Sequence, residues 1–384
     1  MSIREFFSAE TSARPLGVAR AVVGFVVLLR AAIQYHLLGL LMSGYIVRAK
    51  QFPWMPDLPA GWVPAFIAAW MLLAVCFAVG YHSRLSGGLL VAMFAYQLAL
   101  DENLQWSNSY FMMWIILLLT VADSGCSFSL DRRLRRKDPQ QVARWSTLLP
   151  RLQLSIVYFY SWIFKLNPHF LAGESIERAT RLPGFLHGTW LPSAVAALTA
   201  GIECFVSFGL WVPSLRRAAF VLGMSLHTAI FFSMDRAHTA TMFTFGLNIL
   251  APYLLFLEQA PGSRLIIWDD DCSFCRRWIA FFRAFDWLAI HRFEGSSKQD
   301  VLRQAGVTPQ EADLELKVAF EGRTLGGFDA VREVLCVLPI SFLWAPLLAI
   351  PPIPSIGRRL YRRVAARRNC TVSGAVNAPL QAKR

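Results

Sequence analysis

Leu265-Ile266-Ile267-Trp268-Asp269-Asp270-Asp271-Cys272-Ser273-Phe274-Cys275-Arg276-Arg277-Trp278 falls into three parts by residue chemistry. The four large apolar side chains suit a buried strand, the aspartates a turn, and the residues from Cys272 to Phe285 a helix. Two cysteines three apart at a helix start place both sulfurs on its first turn. Unsatisfied amide donors and the helix dipole favour a thiolate there. Arg276 and Arg277 push the same way, while Asp269, Asp270 and Asp271 oppose them. On this reading Cys272, nearest the helix start, attacks, and Cys275 resolves the mixed disulfide. Two alternatives stay open. The pair could be half of a zinc site, for which His291, Cys336 and Cys370 are the remaining candidates without a second close-spaced doublet. It could equally be an inert pair of packing residues.

Downstream, Leu288 to Phe293 and Leu314 to Phe320 suit further strands, and Phe328 to Val337 a second helix. The order predicts a small α/β domain over residues 264–384, preceded by a linker at 258–263. Gly357 to Arg368 reads as a basic amphipathic helix, with Ile356, Leu360 and Val364 on one stripe and six arginines around it. Such a helix suits anionic lipid headgroups. Nucleic acid is the alternative ligand for a basic run, and tethering at a bilayer argues against it.

Upstream the texture is different. The chain of 384 residues is 55% hydrophobic and 16% charged, with mean hydropathy +0.43, whereas soluble domains run near 25% charged. That excludes a disordered chain and a disulfide-stapled miniprotein. Eight apolar runs, about 16–41, 62–80, 86–100, 109–122, 148–166, 191–211, 217–233 and 239–257, predict an all-α polytopic bundle of about eight crossings over residues 1–257. Arg4, Arg14, Arg84, the run from Arg132 to Lys137, Arg144, Arg216 and Arg217 gather on one set of loops. Arg48, Lys50, Arg178, Arg181 and Arg236 fall on the other. The excess predicts a multi-pass protein of the cell membrane with a cytoplasmic N-terminus and, after eight crossings, a cytoplasmic C-terminal domain.

Ionisable groups inside spanning helices are functional hypotheses by default. Lys165 ends the fifth run, Glu203 lies in the sixth and His227 in the seventh. At a 1.5 Å rise they sit about 21, 20 and 15 Å from Arg151, Arg216 and Arg217, so they fall in one layer if those arginines mark one face. They could line a shared polar pocket, or Lys165 and Glu203 could simply pair and order the bundle.

Two resemblances add to this reading. Asp271-Cys272 with Cys275, Gly326-Gly327-Phe328-Asp329-Ala330, and the closing Pro351-Pro352 and Gly357-Arg358-Arg359-Leu360-Tyr361 resemble the DCC-type thiol-disulfide oxidoreductases. The resemblance implies a thioredoxin-like fold. Asp270 stands where that family usually carries glycine, which predicts strain if φ is positive there. Tyr158 to Lys165-Leu166 with Gly173, then Glu203 with Gly209-Leu210-Trp211, and His227, are similar to the HTTM module shared with vitamin K-dependent γ-carboxylases. That likeness implies Lys165 as the base that deprotonates a reduced quinone, and a membrane quinone as the ligand beside it.

The expected function is a membrane-bound thiol-disulfide oxidoreductase using a redox-active Cys272–Cys275 disulfide. Asp269, Asp271, Arg276, Glu203 and His227 support it. Its partners are an unidentified thiol or disulfide protein, the bilayer and a quinone, with no metal and no nucleic acid. A carboxylase- or epoxidase-like reaction at Lys165, and a non-enzymatic redox sensor, are the competing readings.

Overall fold

A computed structural model describes residues 2–33, 47–105, 107–135, 141–181, 183–233, 236–257, 262–342 and 344–367. The tail of the first apolar run, linker residues 258–261, Arg136, Lys137, Arg368 and Cys370 lie outside the described residues. The chain divides into two compact units, Met1–Glu258 and Gln259–Arg384.

All eight apolar runs fall on long helices of the first unit: α1 (Arg14–Ile33), α2 (Val63–Val79), α3 (Ser83–Leu100), α4 (Ser107–Val121), α5 (Trp145–Lys165), α6 (Trp190–Gly209), α7 (Arg216–Ser233) and α8 (Arg236–Leu255). Four described helices are long and apolar enough to cross a bilayer: Arg14–Ile33, Ala60–Val79, Ser83–Leu100 and Trp190–Gly209. Asn108–Val121 and Gly246–Leu255 are apolar but shorter. At 1.5 Å per residue, twenty residues reach the roughly 30 Å of a hydrocarbon core and fourteen do not. The expected eight crossings thus become eight helices, of which four carry a spanning signal by length and composition.

α1 packs against α2 and α8, α5 against α6, and α6 against α7. Val23 and Val27 meet Trp70, Phe77, Phe94, Met112, Ile115 and Leu255 in one buried cluster. A Cβ on Gly24 would lie 2.6 Å from the Ala78 backbone; its absence lets α1 and α2 approach backbone to backbone. Arg20, wholly buried in α1, donates to the carbonyls of Phe77 at 2.7 Å, Phe128 at 2.6 Å and Ser124 at 3.3 Å. It ties orphan carbonyls at the end of α2 to the turn after α4. Nothing in the hydropathy pattern marks Arg20 for this role.

The second unit holds a four-stranded mixed sheet: β1 (Arg264–Trp268), β2 (His291–Gly295), β3 (Lys317–Phe320) and β4 (Arg323–Gly326), in the order β2-β1-β3-β4. β1 and β2 run parallel with Ile266 opposite Phe293; β1 and β3 run antiparallel with Ile266 opposite Val318. The period-two alternation splits β1 between two faces. Ile266 and Trp268 pack with Ile279, Phe282, Ala330, Val334 and Leu338, from α9 (Ser273–Phe285), α12 (Gly327–Leu335) and the turn after it. Leu265 and Ile267 pack with Val301, Leu302, Val307 and Ala312, from α10 (Gln299–Ala305), α11 (Pro309–Leu314) and the loop between them. Helices therefore cover both faces of the sheet. The hairpin to β4 went unread because its turn is Glu321-Gly322, with φ of 47° and 71°. A two-residue turn with both φ positive is the hairpin geometry, but Asn or Asp normally announces it.

The basic amphipathic stretch forms helix α13 (Ile353–Ala366). It docks on α12: Arg358 Nε donates to Asp329 at 2.8 Å, and the Tyr361 hydroxyl accepts the Leu316 amide at 3.0 Å. Two of the three residues of its apolar stripe, Leu360 and Val364, line a cavity, and Ile356 and Leu360 are 58% and 59% exposed.

Candidate functional site

The buried central strand β1 ends at Trp268, whose carbonyl accepts the Ser296 amide at 2.8 Å. The chain then turns. Asp269 Oδ1 accepts the Asp271 amide at 3.1 Å, and the Asp269 carbonyl accepts the Cys272 amide at 3.3 Å. Cys272 is the N-cap of α9, with extended φ and ψ of −85° and 115°, and Cys275 sits one turn along. A carboxylate oxygen of Asp269 and the two sulfurs all lie within 4.8 Å of one another.

The two cysteines differ in access. Cys272 is 1% exposed, whereas Cys275 is half-buried and borders the cavity against α13. The sulfur nearest the helix dipole is therefore the inner one, opposite to the access that the expected order of attack needs. Of the supporting groups, Asp271, Arg276 and Arg277 are exposed, and the Arg276 guanidinium donates to the Asp270 carbonyl at 3.1 Å.

Asp270 keeps an ordinary negative φ, so the strain expected of a residue in glycine's place does not arise. Its carboxylate instead clamps the loop after β2. It accepts the Ser297 hydroxyl at 2.5 Å, the Ser297 amide at 3.2 Å and the Ser296 hydroxyl at 3.3 Å. Burial pushes this carboxyl up, but those hydrogen bonds outweigh it and hold the group below its ordinary value.

Asp269, Cys272 and Cys275 are also a possible three-donor cation set. Among the described residues no further His, Cys, Asp or Glu joins them. His291 lies 3.3 Å from Asp286 instead, and structural zinc takes four protein ligands.

In the first unit, Lys165 Nζ donates to Glu203 at 2.8 and 2.9 Å and to the Ser161 hydroxyl at 2.5 Å, while Ser161 donates to Glu203 at 3.0 Å. The Lys165 and Glu203 side chains are 22% and 7% exposed. The ammonium also stands 5.6 Å over the Phe170 ring. His227 hydrogen-bonds Tyr158 at 2.6 Å, and Tyr253 donates to Tyr158 at 2.9 Å. Tyr158, Ser161 and Lys165 share one face of α5, at spacings of three and four. The ion pair and the Tyr253–Tyr158–His227 chain are thus held by the same helix face. Sequence reading missed Ser161 and Tyr253. The i, i+4 spacing of Ser161 and Lys165 could have found the first. Tyr253 comes from α8 and had no local signal.

These features define a two-part class of protein: a helical membrane bundle with an internal ion pair, joined to a small α/β domain with two close cysteines at a helix start. Residues 9–259 match the model of the HTTM domain, so the chain belongs to that family. Residues 266–372 match the DCC1-like thiol-disulfide oxidoreductase model. The chain is an HTTM membrane domain followed by a DCC1-like thiol-disulfide oxidoreductase domain. No solved structure matches it.

Proposed function

We propose that this membrane protein cycles Cys272 and Cys275 between dithiol and disulfide, exchanging two electrons and two protons with a thiol or disulfide partner. The observation that carries this reading is the cluster of both sulfurs and the Asp269 carboxylate within 4.8 Å, at the start of α9. Unequal access divides the work. Cys275, facing the cavity, meets the partner first and forms the mixed disulfide. Cys272, 1% exposed, then attacks Cys275 and releases the reduced partner. The strand order β2-β1-β3-β4, with β3 against the other three, supports a thioredoxin-like fold for the domain.

The finer readings belong here as well. Eight crossings, with both termini cytoplasmic in the cell membrane, follow from eight helices and the arginine-rich loops. A membrane quinone beside Lys165 is the reading for the bundle. The Lys165–Glu203 pair with Ser161 favours it over plain packing only as far as a charged group inside a bundle signals function. A carboxylase- or epoxidase-like reaction at Lys165 draws on the same pair.

The test is timed alkylation of the reduced full-length protein in detergent, read by mass spectrometry. Cys275 is expected to label first, Cys272 only after partial denaturation, and oxidation to remove two daltons and block both. Equal labelling of the two cysteines, or no two-dalton change between oxidised and reduced protein, overturns the proposal.

A further inference from the structure

The cavity beside Cys275 is a groove of about 250 Å³ between α9, α12 and α13. Cys275, Trp278 and Phe282 line it along α9, Phe328 and Val331 along α12, and Leu360 along α13. Among the described lining residues none is charged, and the Tyr361 hydroxyl is turned to the Leu316 amide. A Cβ at Gly357 would collide with the Phe328 ring, so the missing side chain lets α13 close down on α12. The outer side stays open to solvent: Trp278 is 50% and Leu360 59% exposed. Helix α13 and its C-cap carry exposed arginines at Arg358, Arg359, Arg362, Arg363 and Arg367, and no acidic residue.

From this placement we infer that the groove selects the substrate of the dithiol, a polypeptide cysteine with a large apolar side chain two residues away and an acidic flank. The inference rests on the redox reading above and deepens it by naming the substrate class. The first argument is continuity. Cys275, the sulfur a partner has to reach, is itself part of the groove, so the residues beside the partner's sulfur lie against these walls. The second is size and polarity. An apolar cavity on the order of 150 Å³ holds one benzene ring, so about 250 Å³ takes one Phe, Leu or Met side chain, which asks for no hydrogen-bond donor. The main-chain amides of the peptide keep their water on the open side. The third is spacing. Seven residues separate Cys275 from Phe282, about 10 Å along the helix. In an extended peptide the side chain two residues from a cysteine shares its face at about 7 Å, inside that length, whereas the adjacent one points away. The arginines of α13 add charge complementarity to an acidic flank and repel a basic one.

The exchange balances. Cys275 Sγ bonds to one sulfur of the peptide disulfide, whose S–S bond breaks and gives its pair to the leaving thiolate. Cys272 Sγ then attacks Cys275 Sγ, the protein S–S bond forms, and the second peptide thiolate leaves. The two protons from the protein thiols end on the two peptide thiols. The protein is oxidised by two electrons, and the peptide disulfide is reduced by two. The reverse sequence oxidises a pair of peptide thiols.

The experiment uses the full chain in detergent, reduced and desalted, with disulfide-linked peptide dimers as probes and released peptide thiol as the readout. The parent peptide is acetyl-Cys-Ala-Phe-Glu amide. Its variants put Ser for Phe, exchange Ala with Phe, or put Lys for Glu, and Glu-Phe-Ala-Cys tests the opposite chain direction. In one chain direction the Phe peptide should react at least about tenfold faster in kcat/KM than its Ser counterpart, the gain expected from burying one large apolar side chain. Moving Phe next to the cysteine should remove most of that gain, and Lys for Glu should slow the reaction about threefold at low salt. Leu360→Gln and Trp278→Gln, both at exposed positions, should each cut the Phe-over-Ser ratio at least about threefold. A ratio near one, an equal ratio with Phe adjacent, or a ratio untouched by both substitutions overturns the inference. Uniform slowing of every peptide in nanodiscs assigns the groove to lipid, and uniform slowing with rising protein concentration assigns it to a second copy; either overturns it as well. If no peptide disulfide joins Cys272 to Cys275, the redox reading falls and takes this inference with it.

Discussion

Glu203→Gln removes one charge from the bundle and leaves Lys165 facing a neutral amide. At 2.8 Å and an effective dielectric of about 20, the attraction lost is about 6 kcal/mol. Desolvation offsets part of that, and truncating one partner of a buried pair costs about 3–5 kcal/mol in soluble proteins. The low end applies here, because the Lys165 side chain is 22% exposed and Nζ keeps Ser161 as an acceptor. A loss of about 3 kcal/mol is a roughly 150-fold shift toward the unfolded state. Lys165→Met strands Glu203, 7% exposed, at a similar cost. The double variant should therefore lose about 2 kcal/mol less than the sum of the singles. Reversible SDS unfolding in mixed micelles, followed by tryptophan fluorescence, measures all three. A coupling under about 0.5 kcal/mol refutes the claim that this pair orders the bundle, and leaves Lys165 open to a purely chemical role.

Two further outcomes follow from single contacts. A Cβ at Gly223 would sit 2.0 Å from the Tyr253 hydroxyl oxygen, so Gly223→Ala should cost about 1–3 kcal/mol by overpacking. Adding Tyr253→Phe should recover most of it in the same unfolding assay, and no recovery refutes the close approach. For Asp270, the carboxyl lies below its ordinary value, so its contribution is complete above the unfolded value near 4 and fades as pH falls through the lower folded one. Asp270→Asn should lose about 1 kcal/mol at pH 7, the carboxylate being partly solvated. That deficit should vanish near pH 2, as read by urea-dependent tryptophan fluorescence of the full chain; a pH-independent deficit contradicts the assignment.

Much of the architecture was legible from local pattern, because burial imposes period and length on the chain directly. Apolar runs located all eight bundle helices, and the apolar quartet before Cys272 located β1 and the start of α9. Crossing number was not legible. Hydropathy alone could not separate the four spanning-length helices from shorter ones and from α5, which carries Arg151 and Lys165.

Sequence by itself determined which chemistry is present: two sulfurs one turn apart beside an aspartate, and a lysine, a glutamate and a histidine within apolar helices. Only the tertiary structure decided how they are arranged. It joined Lys165 to Glu203 through α5 and α6 and gave His227 to Tyr158. It also buried Cys272 while α13 and α9 left Cys275 on an aromatic cavity. The physical reason is range. Helix and strand periods are set by neighbours within a few residues, whereas solvent access and ion pairing depend on segments tens of residues apart, which meet only once the chain has packed.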